Sequence, residues 1–496
     1  MMRTRLVPAA LTVLAFAAFP AVTCGDETGH SIDVAIGKIG KDARVSVLAR
    51  SVTTGETLYE RDADEPEVPA STMKIATTAT ALELLGPGFE HETRVLAAGS
   101  LGKDGVLKGN LVIRGSGDPS ISRRFQLDDA RPLLSDWADD IKKTVKVIEG
   151  DLVADDRAFE RLGFHPDWDP KEAQEWYAAE VSALNLNDNC VDIEVTPGPN
   201  GVQVVARPQT SAFVLDVRAT LTPAKGEHKL SYVRDQDGRT FHVTGKVWTK
   251  APAFESPVAV TQPALVFASV LADRLKEAGV TLNGKVRLLD TTEQRPEGPN
   301  VLVRRSPLPR ALMVCNKRSQ NLYAECLLKT LGLAKGQGGS WVEGAKVVEK
   351  HLASLKIPAD QFCVRDGSGL SREDRLSARA LETVLECMAK GPNASMFMDS
   401  LSTAGVDGTL EKRLKTLARG AVFHGKTGTM HGVSALAGLL ELEHGAHGEH
   451  EVIAIAFIVN GTHGAATARQ AQDDAVRVIA SQRCTSAVKT NGTDRP

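Results

Sequence analysis

Pro69-Ala70-Ser71-Thr72-Met73-Lys74-Ile75-Ala76 is the stretch on which the fold turns. It opens a helical pattern that runs to Leu85 and stops at Gly86-Pro87-Gly88, with proline at the start and glycine past the end. Residues i and i+3 of a helix share a face, so the Lys74 amine can reach the Ser71 hydroxyl. A serine at a helix start also has unpaired backbone N–H groups and the positive dipole end beside it. Both suit an oxyanion formed when the hydroxyl attacks a carbonyl. Read alone, the tetrapeptide is more readily an ordinary serine cap with an exposed lysine. Ser-x-x-Lys arises by chance on the order of once or twice in a chain this long. A second copy, Ser100-Leu101-Gly102-Lys103, adjoins Asp104-Gly105 in a turn where nothing sets its Ser and Lys on one face.

Two further motifs follow in order, Ser319-Gln320-Asn321 and Lys426-Thr427-Gly428. A lysine acts as a base only when neutral, which near pH 7 needs a pKa fall of roughly three units, about 4–5 kcal/mol. Desolvation and a neighbouring cation supply shifts of that size. Lys426 is the candidate cation, on an expected strand whose Gly428 lets a ligand approach the backbone. Lys-Thr-Gly alone appears by chance in roughly one chain in seven of this size. The ordered set of three, each in a suitable local context, is far more specific.

Outward from these motifs the texture is uneven. Arg44–Arg50, Val422–Thr427, Ala435–Leu440 and Val452–Val459 read as strands, and Asn321–Leu331, Trp341–Leu355 and Thr467–Ser481 as helices. Ser340-x-x-Glu343 has the spacing of a capping box. Residues from about 93 to 260 read instead as short β runs with turns at Asp104-Gly105 and Asp237-Gly238. A helix after Pro263, stopped by Gly279, begins the return to mixed α/β texture. The gap from Ser71 to Ser319 is more than twice that from Ser319 to Lys426. Together these features point to one catalytic domain, 27–92 and 297–486, interrupted at 93–296 by β-rich inserted units, one or two nested. Residues 487–496 read as a disordered tail.

Lys+Arg 59 against Asp+Glu 62 gives a net charge of −3, and aromatics are 5%, so neither a basic field nor a stacking platform points to nucleic acid. Met1–Cys24 reads as an export signal: Arg3 and Arg5, an apolar run Leu6–Phe19 too short to span a bilayer, then small residues. Plain cleavage, lipidation at Cys24 and an uncleaved anchor are the readings of its fate. The remaining cysteines, Cys190, Cys315, Cys326, Cys363, Cys387 and Cys484, allow a disulfide framework or a set of thiols, and spacing does not choose. His444, His447 and His450 read as a solvated loop tip, and His424 as a strand-end residue or part of the site. No nucleotide or metal motif is present, so no cofactor is indicated.

The set Ser71/Lys74, Ser319/Asn321 and Lys426-Thr427-Gly428 resembles the penicillin-binding-protein and serine β-lactamase superfamily. Further stretches narrow the resemblance to the class C low-molecular-mass penicillin-binding proteins, the D-alanyl-D-alanine carboxypeptidase/endopeptidase group (peptidase family S13). They are Gly115–Pro119, Gly150–Asp156, Val181–Asn187, Asn316–Glu325, Asp366–Ser371 and Ala404–Leu410. The resemblance implies an α/β (α+β) fold, a β-lactamase/transpeptidase-like domain with a central antiparallel sheet flanked by helices. It implies Ser71 as acylated nucleophile, Lys74 as its proton acceptor, and Ser319 as relay to the leaving amine. Lys426 tunes the electrostatics, Asn321 binds the substrate amide, and Thr427, Gly428 and Thr429 form the strand that receives the terminal carboxylate. Asp155, with Asp156 as fallback, is the implied acid for the free amine of the stem diamino acid. The implied partners are peptidoglycan stem peptides in the periplasm or cell envelope, and β-lactam antibiotics as inhibitors. A serine β-lactamase and a peptidoglycan-binding scaffold without chemistry are the alternatives. The oligomeric state stays open.

Overall fold

The structure is a computed structural model of the chain and describes residues 27–125, 131–444 and 449–490. The expected export signal, Cys24 and residues 491–496 lie outside the described residues, as does His447.

Alternation writes the main sheet. Strand Glu449–Asn460 carries Ile453, Ile455, Phe457 and Val459 on one face and Ala454, Ala456 and Ile458 on the other, all buried. Burying an Ile or Phe side chain contributes about 1.5–3 kcal/mol, more than the roughly 1 kcal/mol span of strand propensity. Packing therefore fixes this strand. The antiparallel order is Ser402–Thr403, Ala421–Met430, Val433–His444, Glu449–Asn460, Arg44–Ser51, Thr57–Arg61. Helices Met73–Leu85 and Ala378–Lys390 cover the Ala454 face. Helices Glu27–Gly37 and Ala465–Thr490 cover the Phe457 face. This is the antiparallel sheet between helices that the resemblance implies. The last helix runs on through Thr490, so the start of the expected tail at 487 is helical instead.

The chain leaves this layer along strand Glu90–Leu101 and returns along Asn300–Pro307. The two are antiparallel neighbours, with Glu90 opposite Pro307. They join a mixed sheet with Val106–Arg114 and Leu152–Asp155. Helices Ser135–Lys142 and Pro263–Ala278 pack on it through Trp137, Ile141, Phe267 and Leu271. The region is thus α/β rather than purely β. The helix after Pro263 belongs to this layer, because its apolar face meets Leu111 and Leu152 instead of the main sheet. Residues 190–259 build two smaller sheets around Val191, Ile193, Phe241 and Val243.

Local signals hold with adjustments. Helices Asn321–Lys335 and Trp341–Ser354 lie where the pattern puts them. Ser340 caps the second by accepting from Glu343 N at 3.1 Å. The return half of the capping box is replaced: Glu343 accepts from Gln337 N and pairs with Lys346. Cys190, Cys315, Cys326, Cys363, Cys387 and Cys484 are all unbridged thiols.

Candidate active site

Ser71 sits in a 3-10 turn, Ala70–Thr72, that feeds helix Met73–Leu85. The turn is strained: Ala70 has φ +45°, a left-handed conformation that costs a residue with a side chain about 1–3 kcal/mol. Two glycines press against it. A Cβ on Gly428 would lie 2.8 Å from Pro69 O and 3.2 Å from Ser71 N. One on Gly369 (φ +78°) would lie 1.9 Å from Ala70 O. Only glycine lets the strand Ala421–Met430 and the turn 366–371 close on the serine from two sides.

Lys74 is wholly buried one helical turn on. Its Nζ lies 2.9 Å from Ser71 Oγ, 2.7 Å from Asn321 Oδ1 and 2.7 Å from Ser368 O. Asn321 Nδ2 donates to Tyr177 O at 2.7 Å, which orients the amide with its oxygen toward the lysine. A neutral amine has two N–H groups and one lone pair. Asn321 Oδ1 and Ser368 O can only accept, so they take the two N–H groups. The lone pair is left for the Ser71 O–H, the hand-off a base requires. Burial pushes the Lys74 pKa down to about 8, against the pull of Asp366, Glu325 and Asp374.

Ser319 holds the facing position. It lies between helices Leu308–Lys317 and Asn321–Lys335 with φ +56°. Lys426 Nζ donates to Ser319 Oγ at 2.7 Å and to Thr427 O at 2.8 Å. Lys426 is also wholly buried; burial first, and then the Lys74 charge, pushes its pKa well below the usual lysine value. For Lys74 burial alone drives the fall, and the neighbouring Lys426 expected to supply it is not among the causes. Gln320 Nε2 donates to Asp188 Oδ2 at 3.0 Å. Thr427 Oγ1 donates to Thr409 Oγ1 at 2.9 Å, while Thr429 is exposed.

Ser71, Ser319, Asn321 and Thr429 open onto one cleft of about 810 Å³. Its far wall is Asp167, Trp168, Asp169, Pro170, Glu172, Trp176 and Tyr177; Gly369, Leu370, Arg372, Met430 and His431 complete it. Arg372 Nη2 donates to His431 O at 2.8 Å and ties two parts of the rim together. The motif reading missed the 167–177 wall, which carries only short 3-10 turns. Its signal is the acidic and aromatic run Asp167-Trp168-Asp169 … Glu175-Trp176-Tyr177.

Asp155 is not in the cleft. It is fully buried at the end of strand Leu152–Asp155. Arg114, Arg157 and Arg295 pair with it at 3.3, 3.1 and 3.0 Å. Burial raises its pKa, but the bonds from Arg295 and Arg157 outweigh that and hold it below the usual value. The carboxylate is already neutralised and has no free face for a substrate amine. Asp156, the fallback, pairs with Arg161 at 2.7 Å. His424 contacts Glu441 Oε2 at 3.1 Å and Thr403 Oγ1 at 3.4 Å, outside the cleft lining. His450 pairs with Glu441 at 3.4 Å.

The chain as a whole is similar to known proteins. The model of the D-Ala-D-Ala carboxypeptidase 3 (S13) family matches residues 30–482. A D-alanyl-D-alanine carboxypeptidase of Actinomadura sp. (strain R39) is 31% identical over 455 residues, covering 89% of this chain and 82% of that protein. D-alanyl-D-alanine carboxypeptidase DacB of Haemophilus influenzae is 26% identical over 432 residues, covering 86% and 87%. The crystal structure of penicillin binding protein 4 (dacB) from Haemophilus influenzae superposes with a TM-score of 0.74 at 25% identity, over 89% of this chain and 98% of that one. The same protein complexed with a β-lactam gives 0.70 at 25% identity, over 90% and 99%.

Proposed function

The chain belongs to the D-Ala-D-Ala carboxypeptidase 3 (S13) family, and we infer that it is a penicillin-binding serine D,D-peptidase whose nucleophile is Ser71. The observation that carries the assignment of roles is the threefold contact of Lys74, which leaves one lone pair facing one hydroxyl.

Ser71 Oγ attacks the carbonyl carbon of the penultimate D-alanine while its proton passes to Lys74 Nζ. The backbone N–H groups of Ser71 and Thr429 hold the oxyanion, each worth about 3–4 kcal/mol in such holes. As the C–N bond breaks, Ser319 Oγ hands its proton to the departing amine, and Lys426 stabilises the hydroxyl at that moment. Asn321 orients the substrate amide. Thr427, Gly428 and Thr429 with Lys426 receive the terminal carboxylate. Water then cleaves the Ser71 ester. A leaving D-alanine makes the reaction a carboxypeptidase step, and a leaving cross-linked peptide makes it an endopeptidase step. A β-lactam forms the same ester.

The substrate in this reading is the peptidoglycan stem peptide, and the setting is the exported cell envelope, with Cys24 as a lipid attachment point or a cleavage flank. Asp169 and Glu172 on the cleft wall meet the free amine of the stem diamino acid, the role first given to Asp155. Division into a split catalytic unit, 27–92 and 297–486, and an inserted module, 93–296, belongs to the same proposal. Pairing of the entry and exit strands supports it.

The test is Ser71→Ala with purified muropeptides and labelled penicillin. D-alanine release and covalent labelling both disappear in the variant. Undiminished release would refute the mechanism, and rapid turnover of the penicilloyl adduct by the unaltered protein would favour a β-lactamase.

A further inference from the structure

Beneath Lys74 lies a buried carboxylate that the reaction steps do not use. Asp366 is fully buried. Its Oδ1 accepts from Ser368 N at 3.0 Å and Gly369 N at 2.6 Å, and its Oδ2 from Ser371 N at 2.6 Å. The fourth donor is Trp168 Nε1, at 2.8 Å, from the far wall of the cleft. Asp366 therefore organises the turn whose Ser368 carbonyl accepts a Lys74 N–H and whose Gly369 lies against the Ala70 carbonyl. Glu325 Oε2 holds the same turn from behind, accepting from Gly367 N at 3.0 Å and Trp341 Nε1 at 2.8 Å. The wall is bound to the turn once more, where Asp167 accepts from Ser371 Oγ at 3.0 Å, and to the residue just before it, where Asp167 accepts from Arg365 Nε at 3.1 Å.

Resting on the D,D-peptidase reading, we propose that Asp366 is a positioning residue for Lys74, and that the Trp168–Asp366 hydrogen bond couples the substrate wall to the base. Wall placement then sets the rate of acylation as well as the fit of the peptide. A carboxylate suits this role because it accepts all four N–H donors at once, and an amide in its place presents an N–H₂ to some of them.

The test is single-turnover acylation by a fluorescent penicillin over a range of concentrations, which separates the dissociation constant from the acylation rate constant. Trp168→Phe keeps the ring and removes one N–H. Its rate constant falls about tenfold, with the dissociation constant unchanged within twofold. Asp366→Asn, if folded by thermal melting, falls about a hundredfold in the same parameter. Should Asp366→Asn fail to fold, Trp168→Phe decides alone. A rise in the dissociation constant at unchanged rate constant would make Trp168 a wall residue only and overturn the coupling, as would no change in either. Failure of the unaltered protein to form an adduct on Ser71 would instead sink the peptidase reading itself.

Discussion

Lys74 and Asp155 are each wholly shielded from water, one on the helix behind Ser71 and the other at the end of a strand in the sheet that begins at Glu90. Asp155 has three guanidinium groups within ion-pair distance. Lys74 touches a hydroxyl, an amide oxygen and a carbonyl, all uncharged. A buried ion surrounded by counter-ions keeps its charge and anchors structure. One surrounded by neutral dipoles is easily discharged and so becomes available for proton transfer. Complete burial alone does not separate the two; the partners do.

Four substitutions or titrations break or sharpen that contrast. Lys74→Met removes the base: penicillin acylation falls about a thousandfold or more. Its melting temperature holds or rises, because no amine is left to desolvate; a folded variant acylated at the original rate would deny Lys74 its role. Gly428→Ala drives a methyl group toward Pro69 O and shifts the nucleophile. Acylation drops about a hundredfold, read by the same assay, and urea unfolding shows a loss of about 1–3 kcal/mol from the clash. Asp155→Asn gives the opposite result. It costs about 3 kcal/mol by urea unfolding, since three arginines lose their shared anion, while acylation per folded molecule stays within twofold.

The gentlest probe is pH. The competent form of Lys74 is neutral and its pKa is about 8, so acylation climbs about tenfold per pH unit below 8 and levels above it. In stability the two groups share a sign and differ in window. Lys74 has a folded pKa below its unfolded value, so the unfolded chain binds more protons between about 8 and 10.5, and this group's contribution improves as pH rises through that window. Asp155, also depressed, gives its stabilisation above the ordinary carboxylate pKa and loses it on acidification. A flat acylation profile across pH 6–9 would detach the lysine from the rate.

The sequence carried the proposed reacting groups because their arrangement is mostly local. Ser71 and Lys74 are one turn apart, Ser319 and Asn321 share a helix start, and Gly428 marks a strand that must lie close to its neighbour. The apolar run Val452–Val459 likewise revealed a strand, though not that helices cover both its faces. The role of Asp155 was not legible, because what decides it lies at Arg114 and Arg295, distant along the chain, the first brought near by strand pairing and the second by the fold around it. The cleft wall at 167–177 has no periodicity for a pattern to register. The helix after Pro263 was legible as a helix, but its packing partners were not. Depth of burial at Asp366 was equally invisible, since Asp-Gly-Ser-Gly reads as an ordinary turn.

Strands Glu90–Leu101 and Asn300–Pro307 run side by side, roughly 4.8 Å apart. A gap that narrow is bridged in ordinary hairpins by two residues. In the proposed division, the split unit could therefore have acquired, and could again lose, some two hundred residues through a single cut-and-splice event without moving the ends it must join. The same proximity makes this seam the natural place to graft a foreign wall onto an unchanged set of reacting groups.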